Sequence, residues 1–398
     1  MNQNQELRVA IVHFWYVRRC GAERVLEVLA EIYPQADIFI MFMDPAAALQ
    51  PSLRGHKITT SFLQKLPGIT RHYRKLLPLF PLAQEQFQLD DYDVVISSEA
   101  GPAKGVLTRP STCHICYCHT PMRYVWDMSH HYRSTAPWGR LGRFFYSLSA
   151  HYVRLWDYAA SARVDYFVAS SSNSAGRIRK YYRREADVIY PPVDIAAFSV
   201  SAKQEDFYLV VSRLVSYKRV DLAIAACNQL KRRLVVIGQG EQMGSLQKIA
   251  GPTITFLGSQ SDETVRQHYR SCRALLFPGE EDIGLTPIEA QASGRAVIAF
   301  GRGGALETVA GFYPGEDVNP EEATGVFFAE QSADALAEAI LAFEAVEAKL
   351  SPAFIRAQAT RFDVSEFKRQ FAICVTEKVA QYRNFERPSV LNSEMCEK

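Results

Sequence analysis

The chain has 398 residues, 48% of them hydrophobic and 22% charged, and its formal net charge is +2. This composition is that of an ordinary soluble protein of two or three domains, and no stretch approaches the ~20 apolar residues of a membrane span. The polar first residues, MNQNQELR, lead directly into an apolar segment and do not resemble a signal peptide. We therefore expect a cytoplasmic protein with reduced cysteines and no nucleic-acid partner.

Short apolar segments alternate with helical patterns along the whole chain, which predicts α/β layers with parallel sheets. The predicted strands form two comparable sets of six: 7–14, 36–42, 92–98, 113–118, 164–170 and 188–190, then 207–212, 233–237, 254–257, 274–277, 296–299 and 325–328. Two such sets predict two doubly wound domains.

A Pro-rich break, Tyr190-Pro-Pro-Val-Asp194, separates the two sets and reads as the interdomain linker. The first domain is then predicted over 1–193 and the second over 194–363. From 332 to 386 the pattern is helical only, and 364–385 is the last predicted helix.

Basic residues are concentrated in the first half of the chain. Residues 1–195 contain 23 Lys/Arg against 17 Asp/Glu, whereas 196–398 contain 22 against 26. The basic clusters lie at 71–75, 140–154 and 177–184. They fit a solvated surface, and they equally fit a phosphate-rich acceptor or an anionic membrane surface.

A helix predicted over 138–158 carries a broad apolar face, which we expect to be core: Leu141, Phe144, Phe145, Leu148, Tyr152, Leu155 and Trp156. The adjacent face carries Arg140, Arg143, His151 and Arg154. Contact with membrane phosphates and ordinary solvation both remain open for that face.

Three cysteines, Cys113, Cys116 and Cys118, precede His119, and the first two have the CxxC spacing of a zinc site. No second ligand pair follows at the usual spacing, so a buried strand is the favoured interpretation.

Two cations follow the first strand of the second domain. Arg213 and Lys218 lie five residues apart in a loop at a strand end, where ligands bind in such folds. A guanidinium and an ammonium suit the negative charge that develops on a leaving diphosphate.

Glycines follow several strands of the second domain. Gly238 and Gly240 follow the strand 233–237, Gly258-Ser259-Gln260 follows 254–257, and a Gly-rich run at 301–304 follows 296–299. Such loops allow the backbone to approach a ligand closely.

Two carboxylates stand eight residues apart in Glu281-Asp-Ile-Gly-Leu-Thr-Pro-Ile-Glu289, directly after the strand 274–277. We predict a tight turn and a helix beginning near Pro287, with Thr286 as a capping residue. The free N–H groups of Gly284, Leu285 and Thr286 would face an anion, and the carboxylates would bind sugar hydroxyls.

This segment resembles the Glu-x7-Glu signature of the retaining glycosyltransferases of family 4, which have the GT-B fold: two Rossmann-like domains that face a central cleft. The resemblance implies that Glu281 contacts the donor hexose and Glu289 the ribose hydroxyls. It also implies that Arg213 and Lys218 clamp the diphosphate, and that the last helix crosses back onto the first domain.

The resemblance extends to loops that line the nucleotide, here around Gly238 and Ser259. In the first domain, Cys20-Gly21-Ala-Glu23 is similar to a Gly-Gly-x-Glu loop that faces the phosphates and the acceptor. Cys20 stands where the family has its first Gly, and a side chain there opposes close backbone approach. His119 matches the active-site histidine near the donor sugar. Ser97-Ser98-Glu99 and Ser171-Ser172-Asn173 are candidate acceptor contacts at strand ends.

The sequences at 119–127 and 151–159 resemble those of a bacterial subgroup of this family. The subgroup builds surface polysaccharides and includes mannosyltransferases. The implied activity is transfer of a hexose, mannose before glucose, from a nucleoside diphosphate sugar (GDP-mannose or UDP-glucose) to a polyprenyl-diphosphate-linked or oligosaccharide acceptor. No essential metal is expected. A GT-B nucleotide-sugar epimerase and a non-catalytic sugar-nucleotide-binding protein are the alternatives.

Overall fold

A computed structural model describes residues 7–46, 49–134 and 139–386, and it divides the chain into two compact units. One comprises the residues up to Tyr190 together with those from Phe367 on, and the other runs from Pro191 to Glu366. The predicted boundaries, after 193 and after 363, each lie within three residues of these.

The first unit contains a parallel seven-stranded sheet in the order β3-β2-β1-β4-β5-β6-β7. Its strands are β1 Val9–His13, β2 Asp37–Ile40, β3 Ile58–Thr60, β4 Val94–Glu99, β5 Cys113–Cys118, β6 Tyr166–Ala169 and β7 Ala186–Val188. The central strands β1, β4 and β5 are buried along their whole length and are mainly apolar. Their buried polar residues include His13, Ser97-Ser98-Glu99 and His114.

The helices between these strands are α1 Gly21–Ile32, α2 Ile69–His72, α3 Phe80–Glu85, α4 Ser129–Ser134, α5 Gly139–Ser161 and α6 Ser172–Tyr182. Short 3₁₀ segments lie at Pro51–Leu53, Phe62–Lys65, Tyr73–Leu79 and Ala103–Gly105.

The expectation that the apolar face of α5 is core is wrong. Six of its seven residues, Leu141 to Leu155 in the set above, are between 47% and 62% exposed, and only Trp156 packs inward. The helix is anchored instead by its other side, through the buried residues Ala150, Val153 and Asp157. Trp138, where the predicted helix begins, lies outside the described residues.

The second unit contains another parallel seven-stranded sheet, in the order β10-β9-β8-β11-β12-β14-β13. Its strands are β8 Tyr208–Val211, β9 Leu234–Ile237, β10 Ile254–Gly258, β11 Ala274–Phe277, β12 Ala296–Phe300, β13 Gly311–Phe312 and β14 Gly325–Phe328. Successive strands move outward from β8 on one side and from β11 on the other. The loops that follow β8 and β11 therefore flank a topological switch point, the usual ligand position in such sheets.

The remaining helices are α7 Val220–Leu230, α8 Met243–Ile249, α9 Asp262–Ser271, α10 Leu285–Ala292, α11 Ala305–Thr308, α12 Ala333–Val346, α13 Pro352–Ala359 and α14 Val364–Glu386. Further 3₁₀ turns lie at Ile195–Ala197, Ser216–Lys218, Pro320–Glu322, Glu347–Lys349 and Thr360–Phe362.

The last helix, α14, packs on the first unit from Phe367 on. The rings of Phe367 and Phe371 lie 5.6 and 6.0 Å from that of Tyr117 on β5. Lys368 pairs with Glu31 at 2.8 Å. Within the described residues, no helix has both the length and the hydropathy needed to cross a membrane.

Candidate functional site

An ion pair joins two of the loops at the switch point. Lys218, in the loop after β8, contacts the Oε1 atom of Glu281, in the loop after β11. The two side chains are 16% and 19% exposed, so the charges are largely shielded but still reach solvent. Two residues that the sequence placed in separate motifs thus form one charged pair.

Arg213 lies in the same loop as Lys218 but is exposed and does not take part in this ion pair. The loop is tightened by a bond from the Val215 N–H to the Arg213 carbonyl, at 2.9 Å. Arg213 is therefore held on a constrained backbone in this loop, and its exposed guanidinium is accessible to an anion.

Glycines allow these loops to pack on one another. A Cβ atom on Gly279 would lie 2.9 Å from the Cα atom of Lys218, and one on Gly304 would lie 2.3 Å from the Cα atom of Ile283. The Gly304 N–H donates to the Glu281 carbonyl at 2.8 Å. The close approach predicted for the Gly-rich run is therefore made to the Glu281 loop of the protein itself.

Helix α10 begins at Leu285, earlier than the predicted start near Pro287, and Thr286 is not its cap. The N-cap is Gly284, whose φ of 75° turns the chain into the helix before Thr286 is reached. A side chain at Gly284 would also meet the ring of Phe277, 2.6 Å from its Cβ position. The backbone N–H groups of Gly284, Leu285 and Thr286 lie at the start of the helix, where no intrahelical carbonyl accepts from them, so they can bind an anion.

Glu289 lies one turn inside α10 and is only 6% exposed. The Tyr269 hydroxyl, on α9, donates to its Oε2 atom at 2.9 Å. This hydrogen bond orients the carboxylate. Sequence reasoning missed Tyr269, because nothing in a Tyr twenty positions earlier indicates such a contact.

Gly238 and Ser259 follow β9 and β10 at the same end of the sheet. Gly238 has a φ of 140°, and its N–H donates to the Gly258 carbonyl at 2.8 Å. A Cβ atom there would lie 1.8 Å from the Ser212 carbonyl oxygen, so this glycine is required by the protein backbone. Ser259 is exposed at the edge of the sheet.

In the first unit, Gly21 is the first residue of α1 and Cys20 is its N-cap. The Cys20 N–H donates to the Glu23 carboxylate at 2.9 Å, so Glu23 caps this helix. Cys20 has an extended backbone, with a φ of −131°, which a residue with a side chain adopts without strain. Replacement of the family's first Gly by Cys is thus accommodated.

His119, directly after β5, is fixed at both its backbone and its ring. Its carbonyl accepts from Ser170 Oγ at 2.8 Å and from Ser174 Oγ at 2.7 Å, and its Nε2 atom lies 3.1 Å from Ser98 Oγ. Burial lowers the pKa of His119 to about 3. The imidazole is therefore neutral at physiological pH and can exchange hydrogen bonds with a hydroxyl, but it cannot serve as a cationic acid.

His13, at the end of β1, is a neighbour that sequence reasoning missed. It is fully buried, lies opposite Ser98 in the sheet, and neither ring nitrogen has a hydrogen-bond partner among the described residues. Burial, and then His119, lower its pKa well below the usual range. The sequence did contain a signal for this residue, because His13 is a polar residue at the end of the apolar strand β1, where ligands bind in such sheets.

The proposed acceptor contact of Glu99 does not fit its position. Glu99 accepts from Lys104 Nζ at 3.0 Å, and Lys104 also contacts Asp157 of α5. All three side chains are fully buried. Burial opposes the charge on Lys104, but Asp157 and Glu99 raise its pKa, so it stays cationic. Ser171 likewise has a structural role as the N-cap of α6.

The cysteines of β5 are buried free thiols. Burial raises the pKa of Cys113 to about 12 and raises that of Cys118, which keeps both protonated and makes them poor metal ligands. In the part of the chain that the structure describes, no group of three or more His, Cys, Asp and Glu is placed to hold a metal ion.

Comparison with known proteins assigns both units. Residues 19–197 match the model of the family described as Glycosyltransferase Family 4, and residues 194–360 match the family described as Glycosyl transferases group 1.

Among characterised relatives, the chain is 23% identical to the alpha-1,3/1,6-mannosyltransferase ALG2 of Saccharomyces cerevisiae over 70% of this chain and 63% of the yeast protein. It is 28% identical to the GDP-mannose-dependent alpha-(1-6)-phosphatidylinositol monomannoside mannosyltransferase of Mycobacterium tuberculosis over 33% of this chain and 36% of the other. The chain thus spans less than two thirds of the length of these relatives.

Among solved structures, HepE of Anabaena in complex with UDP and glucose has a TM-score of 0.66 at 16% identity, covering 93% of this chain and all of the other. Sucrose-phosphate synthase of Thermosynechococcus elongatus has a TM-score of 0.65 at 17% identity, over 94% and 100%. These likenesses confirm the predicted α/β fold with two doubly wound domains. The chain therefore belongs to glycosyltransferase family 4 and has the GT-B fold.

Proposed function

We propose that the protein is a retaining transferase that moves a hexose, mannose in preference to glucose, from a nucleoside diphosphate sugar to a polyprenyl-diphosphate-linked glycan. It would act in the assembly of a bacterial surface polysaccharide, at the inner face of the cytoplasmic membrane. The preference for GDP-mannose rests on the relatives named as mannosyltransferases. UDP-glucose is the second candidate, since HepE was crystallised with UDP and glucose.

The ion pair between Lys218 and Glu281 is the observation that carries this proposal. A donor diphosphate carries more negative charge than one carboxylate, so it would draw Lys218 away from Glu281. Glu281 would then be released to accept hydrogen bonds from the hexose hydroxyls. Arg213 would complete the clamp, and the amides at the start of α10 would bind phosphate oxygens.

The proposed chemistry is a front-face displacement. The bond between the anomeric carbon and the diphosphate oxygen breaks, and its electron pair stays on the diphosphate. The acceptor oxygen bonds to the anomeric carbon from the same face, and its proton passes to the departing diphosphate. Lys218 and Arg213 stabilise the charge that develops there. Glu281 orients the donor and does not attack it.

His119 is assigned to a hydroxyl of the donor hexose. Its neutral ring is held by Ser98, so its free nitrogen has a defined direction. Glu289 is assigned to the ribose hydroxyls, with Tyr269 fixing its carboxylate. Gly238 and Ser259 are assigned to the loops that line the nucleotide, and Gly21 to the loop that faces the phosphates.

Two experiments test this function in sequence. Thermal-shift titration with GDP, UDP, ADP and dTDP should show the largest stabilisation with GDP. The preferred donor is then incubated with a polyprenyl-diphosphate-linked oligosaccharide, and the anomeric configuration of the product is read by NMR. An inverted linkage contradicts the retaining mechanism. Release of free hexose inverted at C2, with no acceptor consumed, would instead identify an epimerase.

A further inference from the structure

Helix α5 exposes a continuous apolar stripe on the first unit. The stripe consists of six residues whose spacings of one, three and four positions place them on one helical face: Leu141, Phe144, Phe145, Leu148, Tyr152 and Leu155. All six are exposed, and Leu82 of the adjacent helix α3 is also exposed. Single exposed apolar residues are ordinary, but a contiguous row of six marks an interaction surface.

Cations lie near this stripe, and the carboxylates of the neighbouring segments are buried or paired within the unit. Arg140 and Arg143 lie at the start of α5, and Arg71, Arg74 and Lys75 are exposed beside the 3₁₀ turn that packs against it. The segments 62–85, 129–134 and 139–161 together contain two carboxylates. Asp157 is fully buried, and Glu85 accepts from Trp156 Nε1 at 2.7 Å and from Arg163 at 3.0 Å. The surface is therefore apolar and cationic.

We propose that the apolar face of α5 inserts into the interfacial layer of an anionic lipid bilayer, with the surrounding cations binding lipid phosphates. A helix with bulky apolar residues on one side and basic residues near it has the chemistry of an interfacial helix, lying in the plane of the membrane. A second copy of the chain fits less well, because apposing two such faces would bring their cations together. The inference deepens the proposed membrane location and does not rely on the identity of the donor.

The inner side of α5 is bonded to the rest of the first unit, so membrane binding by this helix would fix the whole unit at the membrane. Asp157 accepts from Trp126 Nε1 at 2.7 Å and from the Tyr182 hydroxyl at 2.8 Å, and it also contacts Lys104. Lys104 in turn binds Glu99 at the end of β4. A buried chain of bonds thus joins the helix to the sheet edge.

This role differs from a purely electrostatic attachment through Arg140, Arg143 and Arg154. Arg154 is engaged within the unit, since its Nε atom donates to the Val125 carbonyl at 2.6 Å and its guanidinium stacks on Trp126. Attachment should therefore depend on the apolar residues as well as on charge, and part of it should survive high salt, which screens only the charges.

Co-sedimentation of the full chain with vesicles tests the proposal. We expect binding to vesicles of 70% phosphatidylcholine and 30% phosphatidylglycerol, and much weaker binding to pure phosphatidylcholine. The variant Phe144→Ser/Phe145→Ser/Leu148→Ser should lower the partition coefficient about tenfold or more, because each side chain buries apolar surface on insertion. The residues are exposed, so the thermal unfolding midpoint should not fall.

A matched variant, Ile249→Ser/Leu306→Ser/Leu341→Ser, removes equally exposed apolar residues from the second unit and should bind like wild type. Arg71→Ser/Arg74→Ser/Lys75→Ser should reduce the preference for anionic vesicles. The proposal is overturned if wild type ignores anionic vesicles or if the α5 variant binds unchanged. It is equally overturned if sedimentation shows a dimer that only the α5 variant dissolves. Donor binding, measured separately, stays informative about the transferase in every case.

Discussion

Each unit pairs a lysine with a glutamate at the carboxyl edge of its sheet, but the surroundings of the two pairs differ. Lys104 and Glu99 lie 3.0 Å apart, both fully buried, and share their charges with the buried Asp157. Lys218 and Glu281 are partly exposed, and among the described residues Lys218 forms no ion pair with a second carboxylate.

This difference separates a structural ion pair from one that can exchange partners. Removing one member of a fully buried pair strands the other charge in a medium of low polarity, so the pair must stay intact. A partly solvated pair costs much less to open, because water and an incoming anion can replace the lost partner. The same two residue types thus hold the fold together in one unit and are available to a ligand in the other.

Replacement of Lys104 should have the largest effect on stability. We expect Lys104→Met to lower the free energy of unfolding by about 3–5 kcal/mol, because Glu99 and Asp157 would be left buried without their cation. Urea denaturation measures this directly. Lys218→Met is the matched control and should change stability by less than ~1 kcal/mol.

A second variant distinguishes the loss of charge balance from a change in side-chain packing. Lys104→Met/Glu99→Gln/Asp157→Asn removes all three charges and should recover a large part of the lost stability. Equal destabilisation by Lys104→Met and Lys218→Met would show that the two pairs do not differ as argued.

Turnover should respond in the opposite order. We expect Lys218→Ala and Arg213→Ala each to reduce kcat about 10²–10³-fold at saturating donor, because each removes a charge that stabilises the leaving diphosphate. Stability should hardly change, since both side chains reach solvent. Near wild-type kcat in both variants would remove them from the clamp.

Chelation gives an independent check on the same cations. If Lys218 and Arg213 neutralise the diphosphate, EDTA should leave the activity of the wild-type protein largely intact. Loss of activity on EDTA treatment, restored by a divalent ion, would mean that a metal performs this role.

The sequence predicted best those elements whose environment is uniform. The strands at 113–118, 274–277 and 325–328 were predicted to the residue, because buried parallel strands form short and largely apolar segments. The strands Ile58–Thr60 and Gly311–Phe312 were missed, because short strands at the sheet edges carry too few apolar residues to stand out.

Features that depend on tertiary contacts could not be predicted in this way. The apolar pattern of α5 identified its apolar face but not whether anything covers it. The Glu281 and Lys218 motifs were each visible, but their pairing follows from the adjacency of β8 and β11, which local sequence does not encode. The sequence predicted Thr286 as the cap of α10, whereas the N-cap is Gly284, whose positive φ is set by the surrounding loop.

Stability should also depend on pH through the first unit. Burial lowers the pKa of His13 well below its usual range and those of His114 and His119 to about 3, so these imidazoles stay neutral while unfolded ones take up protons near pH ~6.5. Stability is then present above ~6.5 and lost as pH falls toward 3. Burial raises the pKa of Glu99 to about 7, whereas the unfolded carboxyl has a pKa of ~4.5. Between these values the folded protein holds about one more proton on Glu99 than the unfolded chain does, and this opposes the effect of the histidines.

The three histidines outweigh the one glutamate, so the free energy of unfolding should fall by about 1–3 kcal/mol per pH unit between roughly pH 6 and 5. Urea denaturation at several pH values gives the slope. His114→Gln should flatten it, whereas replacement of the exposed His72 by Gln should not. A profile that is flat, or rises toward acid, would contradict neutral burial of these rings.

The smallest predicted effect concerns the buried carboxylate of the second unit. Glu289 resembles Glu99 in burial, and its carboxylate accepts a hydrogen bond from the Tyr269 hydroxyl. We expect Glu289→Ala to weaken donor binding by about 1–3 kcal/mol, because the ribose hydroxyls would enter a partly desolvated pocket without their acceptor. Calorimetric titration with the preferred nucleotide measures the loss, and Tyr269→Phe, which keeps the acceptor but loosens its orientation, should cost less. The corresponding 2′,3′-dideoxynucleotide should bind wild type and Glu289→Ala equally, because the contact under test is then absent from both complexes. If Glu289→Ala binds the complete nucleotide as tightly as wild type does, Glu289 has only a structural role, as Glu99 has. The ribose hydroxyls would then be bound by another residue.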